Sequence, residues 1–460
     1  MSSSTEESAT GLSGSGAGTD VSQRYSASTA AAVVVANMIG TGVFTSLGFQ
    51  LLGITSGFAL LMLWVVGGIA ALCGALTYAE LGAALPRSGG EYNFLSRIYH
   101  PAAGFVSGWV SATIGFAAPV AAAAITFGSY LSAVFPALPV KPLAAALVIV
   151  LTITHASTRA NSAGVQRWFT MLKLALIVIF CVTALVLVET PQPVNFLPSG
   201  VGFEAMLSPA FAVSLIYVSY AYTGWNAATY LTSELENPQR SLPLVLGLGT
   251  FVVLVLYVAL NFTFLYVAPM DELAGKVEVG YVAASFVFGE GGAALMGTVL
   301  ALLLVSTVSA MTLAGPRVLA VIGQDFRAFG WFARTNATGL PVFAIAFQCV
   351  LALLFIFVSS FEGIIRLAGF TLGLNSFLTV LGVFVLRVRQ PDLPRPYRTA
   401  WYPLPPLVYL AITGWTLVYL AVSNVTEAAV AAAIIVSGLV FYAVSRRLGV
   451  GDTEGREGSG

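Results

Sequence analysis

Between residues 28 and 446 the chain is a succession of apolar runs of about 20 residues, separated by short polar stretches, and that is the length a helix needs to cross the hydrocarbon core of a bilayer. Composition agrees. Of 460 residues, 58% are hydrophobic and 9% charged, against about 25% charged in an ordinary soluble domain. So much apolar side chain has no water-soluble packing solution, and the sequence specifies an integral membrane protein. Strict short-range alternation of apolar and polar residues is absent, so the spans are helices and not barrel strands. The expected fold class is all-α, with about twelve transmembrane helices near 28–50, 56–84, 102–134, 140–157, 165–188, 206–233, 242–268, 291–320, 340–358, 362–386, 402–422 and 426–446.

Formal net charge is zero, but the charges are unevenly placed. Threading with the N-terminus inside puts Arg87, Arg97, Arg159, Arg167, Arg240, Arg327, Arg334, Arg387, Arg389, Arg395, Arg398, Arg446 and Arg447 on one side. The opposite loops hold Lys141 and Lys276 with the acids Glu189, Asp271, Glu272 and Glu278. The positive-inside rule then predicts a multi-pass protein of the cell membrane with both termini cytoplasmic. Residues 1–27 and 449–460 read as disordered tails, because they lack periodicity and the first has no apolar core of a signal peptide. No basic patch favours nucleic acid. Cys73, Cys181 and Cys349 fall inside apolar runs as small hydrophobes, and His100 and His155 are the only histidines, so no metal, cofactor or catalytic cluster is expected. The partners implied are the bilayer and a small solute.

Two spans are interrupted deep in the apolar run. The first reads Asn37-Met38-Ile39-Gly40-Thr41-Gly42-Val43-Phe44 and the second Tyr222-Thr223-Gly224-Trp225-Asn226. Backbone that leaves the helical ladder inside a membrane survives only where it is packed in protein or lines a cavity. Glycine kinks used for close helix packing would look similar. Helices one to five (28–188) and six to ten (206–386) form two sets of equal count and opposite orientation, with a broken helix opening each, and helices eleven and twelve (402–446) lie outside. That arrangement predicts an inverted-repeat transporter with its site at the paired breaks. A half-helix starting after Gly40-Thr41-Gly42 offers free N–H groups to a carboxylate, and the one ending before it offers carbonyls to an ammonium. A zwitterion is thus met by main chain. A side chain at Gly40, Gly42 or Gly224 would hold it off, so Gly42→Val is expected to abolish binding in a folded protein.

With these motifs in view, the chain resembles the amino acid-polyamine-organocation (APC) superfamily, closest in pattern to its L-type-like neutral amino acid branch. The resemblance rests on Ile39-Gly40-Thr41-Gly42-Val43-Phe44, on Tyr78-Ala79-Glu80-Leu81-Gly82 running into Pro86-Arg87-Ser88-Gly89-Gly90-Glu91-Tyr92, on Val165-Gln166 with Lys173, on Tyr220-Ala221-Tyr222-Thr223-Gly224-Trp225-Asn226, and on Glu234-Leu235-Glu236-Asn237-Pro238-Gln239-Arg240. It implies a five-plus-five fold in which Thr41 and Gly42 meet the substrate carboxylate, while carbonyls around Met38, Ile39 and Tyr220 meet the amine. Tyr220 would be an aromatic lid, with Thr223 and Asn226 shaping the side-chain pocket. Members that take bulky substrates tend to have glycine where Thr223 stands, so small or medium neutral substrates are expected.

Lys173 lies about six residues into the fifth span, roughly 9 Å deep, where an ammonium is costly unless paired or snorkelling. The resemblance implies that it replaces a coupling sodium, bridging carbonyls near Gly40 to Ser306 and Ser309 of the eighth helix. Desolvation weakens an ammonium's hold on its proton, so exchange and proton-coupled symport both stay open. Glu80 is expected to pair with Arg87, Arg97 or Arg167. Glu234 and Glu236, with arginines such as Arg240, are expected to serve gating, whereas the stretch Leu313 to Phe326 departs from the family pattern at Ile322 and Phe326. The alternative reading, a polyamine or cationic amino acid carrier, wants a carboxylate facing the site, for which Glu80 is the one candidate. A membrane sensor or channel would want a signalling domain or rings of carbonyls or charges, and neither is seen. Some L-type-like members need a single-span partner, but no cysteine stands outside to tether one, so no obligate protein partner is indicated.

Overall fold

A computed structural model describes residues 26–447 apart from 88, 158–161, 236, 327–328 and 337–338. Nearly all of both predicted tails, Arg159, Glu236 and Arg327 lie outside these, as do the side chains of Arg167 and Glu234. The fold is all-α. Its helices are α1 (Ala27–Met38), α2 (Gly42–Gln50), α3 (Gly57–Ala84), α4 (Glu91–Ile98), α5 (Pro101–Val110), α6 (Ala117–Val134), α7 (Val140–Ser157), α8 (Ser162–Leu187), α9 (Gly200–Met206), α10 (Pro209–Tyr222), α11 (Pro238–Val267), α12 (Met270–Leu273), α13 (Val279–Asp325), α14 (Val342–Val358), α15 (Phe361–Arg389), α16 (Leu404–Ser423) and α17 (Val425–Arg447). Among the described residues ten spans are long and apolar enough to cross a bilayer, and α9 with α10 makes an eleventh, bent by 67°. The shorter α14, with 17 residues, completes the expected set.

Besides a kink in α13 at Gly289 (φ +67°, ψ −173°), departures from regular helix gather around the two predicted breaks. Met38 ends α1, Gly42 begins α2, and between them the Gly40 N–H donates back to the Met38 carbonyl at 2.8 Å. Likewise α10 ends at Tyr222, Thr223 turns extended (ψ 136°), and Gly224 takes φ +106°, a left-handed value that favours glycine. Beyond this break the chain runs as a 3-10 helix, Ala227–Glu234, where a regular half-helix is the sequence expectation. Thr229 and Thr232 explain the difference: their hydroxyls donate three residues back, to the carbonyls of Asn226 (2.8 Å) and Thr229 (2.9 Å), which favours the tighter turn. A further irregularity, the π turn Ser111–Gly115 between α5 and α6, has the Phe116 N–H reaching the Ser111 carbonyl at 3.1 Å. Pro119 follows; it has no N–H to give to Gly115, so the ladder loosens there.

The two broken spans are stacked on each other. A Cβ at Gly42 would stand 2.5 Å from the Ala221 Cα, and one at Gly224 would stand 2.8 Å from the Asn37 carbonyl carbon. Around them α1, α3, α10 and α11 pack as one group, held at its core by Trp64, Tyr222 and Tyr257 with ring centroids 5.0 to 6.3 Å apart. A second group, α6, α7, α13 and α14, packs alongside, with α15 in contact with α10 and α6. Arg87 and Arg395, in loops, and Arg387 and Arg389, in the last turn of α15, share one end of the molecule, since α3 and α15 terminate there side by side and are tied by Glu80 and Arg387. Lys141 and Lys276 lie at the other, where Lys141 donates to the Phe357 carbonyl at 3.3 Å and Gly275 N–H to the Gly48 carbonyl at 2.7 Å.

Candidate functional site

A cavity of about 560 Å³ lies where the two breaks meet. Met38, Gly40, Thr41 and Gly42 line it from the first span, Tyr220, Thr223, Gly224 and Asn226 from the sixth, and Phe116, Thr307, Ser376 and Thr413 from the surrounding helices. It continues to the exposed Arg87 and Arg317 at the arginine-rich end. The opposite end is shut: Phe49 stacks between Tyr217 (5.8 Å) and Phe361 (5.4 Å), and the Ser46 hydroxyl donates to the Tyr217 carbonyl at 3.3 Å. Arg366 fastens this lid, donating to the Tyr217 hydroxyl (3.0 Å) and Glu362 (2.7 Å), with Glu427 at 3.6 Å.

Within the first break, α2 begins at Gly42 with no side chain capping its first N–H groups, which leaves the positive end of the half-helix to the cavity. The carbonyls are a different matter. Met38 already accepts from the Gly40 N–H and from the Tyr257 hydroxyl (2.5 Å), so the expectation that it meets a substrate amine is corrected: both lone pairs are in use. Tyr220 lies beside Thr41 at the cavity wall, but its carbonyl accepts from the Thr223 N–H at 3.0 Å. Ile39 faces away from the cavity and is fully buried. Thr223 turns its hydroxyl back to the Ser219 carbonyl at 3.2 Å. The expected outcome of Gly42→Val, lost binding in a folded protein, is corrected: a Cβ there would meet the Ala221 backbone, so the substitution would disturb the stacking itself.

Lys173 is 4% exposed and donates to the Ile39 carbonyl (3.3 Å) and to the Thr307 hydroxyl (2.7 Å). It therefore bridges the break to α13 through Thr307, where Ser306 and Ser309 are the sequence expectation, and Ser309 is engaged elsewhere. The reason is helical register: successive residues are turned by about 100°, which presents Thr307 to α8 while Ser309 faces α7 and meets His155 Nε2 at 2.8 Å. Among the described residues no carboxylate pairs with Lys173, so neutral oxygens hold the ammonium at depth.

Glu80 is corrected as well. It is 1% exposed and lies outside the cavity, receiving Arg387 in a two-pronged bond (2.8 and 2.7 Å) and the Thr399 N–H and hydroxyl (2.7 Å each), with Arg395 at 3.7 Å. The predicted partners Arg87, Arg97 and Arg167 are nearer in sequence, but it is the end of α15 that packs against the end of α3. Arg240 is exposed in the first turn of α11.

Two residues at the site escaped the sequence reading. Tyr257 sits with its hydroxyl 3.1 Å from the Ala221 carbonyl as well as on Met38, strapping the two breaks together. Its signal was a lone phenol amid the apolar run Val252 to Leu260, where a hydroxyl needs a partner. Glu91, 4% exposed, lines the cavity and accepts from the Tyr78 hydroxyl (3.0 Å), the Asn226 amide (2.5 Å) and the Tyr230 hydroxyl. It was visible only as a letter in the motif after the second span, because nothing local says that the Gly89-Gly90 turn, with φ +121° and +53°, swings α4 back under the sixth span. Among the described residues no group of three or more His, Cys, Asp or Glu is placed to hold a metal.

An uncapped half-helix, crossed spans broken at mid-length and a cavity between them suit a small zwitterion. The sequence is matched by the amino acid permease family over residues 25–442. It is 30% identical to the mouse large neutral amino acids transporter small subunit 2, covering 94% of this chain and 82% of that protein, and 29% identical to the human form, covering 93% and 81%. It is 28% identical to the mouse b(0,+)-type amino acid transporter 1, covering 89% and 85%. The chain thus belongs to the amino acid permease family of the APC superfamily, a multi-pass membrane transporter of amino acids and not an enzyme.

Proposed function

We propose that this protein carries neutral amino acids of small to medium side chain across the cell membrane by alternating access, without sodium and with both termini in the cytoplasm. The observation that carries the reading is the uncapped start of α2 opening on a cavity between two broken spans, beside an ammonium bridging the Ile39 carbonyl to Thr307. The substrate carboxylate sits on the N–H groups around Thr41 and Gly42, its amine on break carbonyls other than that of Met38, and its side chain between Thr223 and Asn226. Lys173 supplies the fixed positive charge that makes a bound sodium superfluous. Helices one to five and six to ten act as inverted repeats, and the conformation seen here faces the cytoplasm, because the cavity runs to the arginine-rich end while the Arg366 lid closes the other. Glu234 and Arg240 belong to the segment that closes the inner side.

A cationic substrate is the second reading, favoured by Glu91 at the cavity wall. Against it, both oxygens of that carboxylate already accept donors from the protein. A relative is named a small subunit, which raises a partner for this chain. Cys73, Cys181 and Cys349 all stand within helices, and we assign the chain no disulfide-linked partner. Purified protein alone in liposomes tests all of this: labelled alanine or leucine should exchange against internal substrate in sodium-free buffer. Dependence on sodium, preference for arginine or putrescine, or activity only with a second chain each removes the corresponding part of the proposal. A pH gradient in the same vesicles separates exchange from proton symport.

A further inference from the structure

Asn226 faces the cavity from the sixth span, and an amide can present either a donor or an acceptor to what it meets. Here the choice is made from behind. Its Nδ2 donates to Glu91 Oε1 at 2.5 Å, and a carboxylate accepts only. Turned the other way, Oδ1 would lie against Glu91 with no hydrogen between two oxygens. The Tyr78 and Tyr230 hydroxyls also donate to Glu91, which fixes the carboxylate from α3 and from the 3-10 segment. The Asn226 Oδ1 accepts from none of the described side chains or backbone groups and is the amide's free group for the cavity.

Building on the neutral amino acid reading above, we infer that Glu91 is a positioning residue that locks the Asn226 amide with its oxygen toward the substrate, so that the side-chain pocket selects neutral amino acids carrying a hydroxyl or amide donor over apolar ones of equal size. An acceptor in a pocket rewards a donor and is left unpaired by a methyl group, which is the strong form of discrimination between isosteres. Bulk alone would not distinguish them.

The test is the ratio of KM values for isosteric pairs in proteoliposomes: serine against 2-aminobutyrate, and threonine against valine. Wild type should favour the hydroxyl member roughly fivefold, the worth of one hydrogen bond. In Glu91→Gln the new amide can donate to Asn226, freeing it to turn, and the ratio should fall toward one. Asn226→Leu should also reach one, with Glu91→Gln adding nothing further. Tyr78→Phe removes a Glu91 contact but leaves the Glu91–Asn226 pair in place, so its ratio should stay at the wild-type value; a merely structural role for Glu91 would move both variants alike. Wild type that exchanges alanine but treats serine and 2-aminobutyrate equally overturns this inference and leaves the transport reading standing, as does Glu91→Gln with an unchanged ratio. No exchange of any neutral amino acid overturns both. Should Glu91→Gln fail to fold, the wild-type ratios and Asn226→Leu decide.

Discussion

At the scale of single residues, two glycines that look alike in sequence do different work. A Cβ at Gly40 would lie 3.9 Å from the Thr307 side chain, in ordinary contact, while one at Gly42 would collide with the Ala221 backbone. Gly40→Ala should therefore raise KM severalfold with little change in Tm, whereas Gly42→Ala should lower Tm in detergent; equal Tm losses would remove the distinction. Lys173 is held by Thr307 and one carbonyl, so Thr307→Val strips a buried ammonium of a hydrogen bond worth about 1.5–3 kcal/mol. Exchange should fall at least about tenfold on that figure, and more than in Ser309→Ala, whose hydroxyl meets His155 instead. Sequence disclosed that Lys173 must find oxygen at depth. It did not disclose which hydroxyl, because a one-residue difference on α13 is a rotation of about 100° that only packing against α8 resolves.

Among elements, the spans and both breaks were legible because membrane length and glycine-rich interruptions are local signals. The 3-10 course of Ala227–Glu234 was not, since it depends on Thr229 and Thr232 choosing backbone partners three residues back. Nor was the joint between α3 and α15, which rests on residues some 300 positions apart. Replacing Glu80 by glutamine would leave Arg387 and Arg395 facing a neutral group in a largely dehydrated joint, for a destabilisation of about 3 kcal/mol, the low end for a broken buried pair because Arg387 is partly exposed. Thermal unfolding in detergent reads this directly; an unchanged Tm would mean that Thr399 and solvent suffice. The same clamp ties a helix of the first packed group to one that also touches the second, so its loosening should show in the balance between conformations.

For the whole molecule, the closed lid of Phe49, Tyr217, Phe361 and Arg366 and the passage toward Arg87 and Arg317 make one end open and the other shut. A cysteine placed at Met311, on the cavity wall, should react with an impermeant thiol reagent in inside-out vesicles and not in right-side-out ones, and saturating substrate should slow the reaction. Labelling from the outside alone would reverse the orientation proposed. What the sequence by itself determined is the solvent of the fold and its gross course: apolar runs of bilayer length, arginines gathered in alternate loops, and two places where the helical ladder must stop, all of which follow from the cost of unsatisfied backbone and charge in lipid. What only the tertiary structure decided is which polar groups meet. Tyr257 on Met38, Lys173 on Thr307, Glu80 on Arg387 and Glu91 behind Asn226 join residues far apart in the chain, and each pairing is set by how helices rotate and cross as they pack, a choice that no stretch of sequence makes alone.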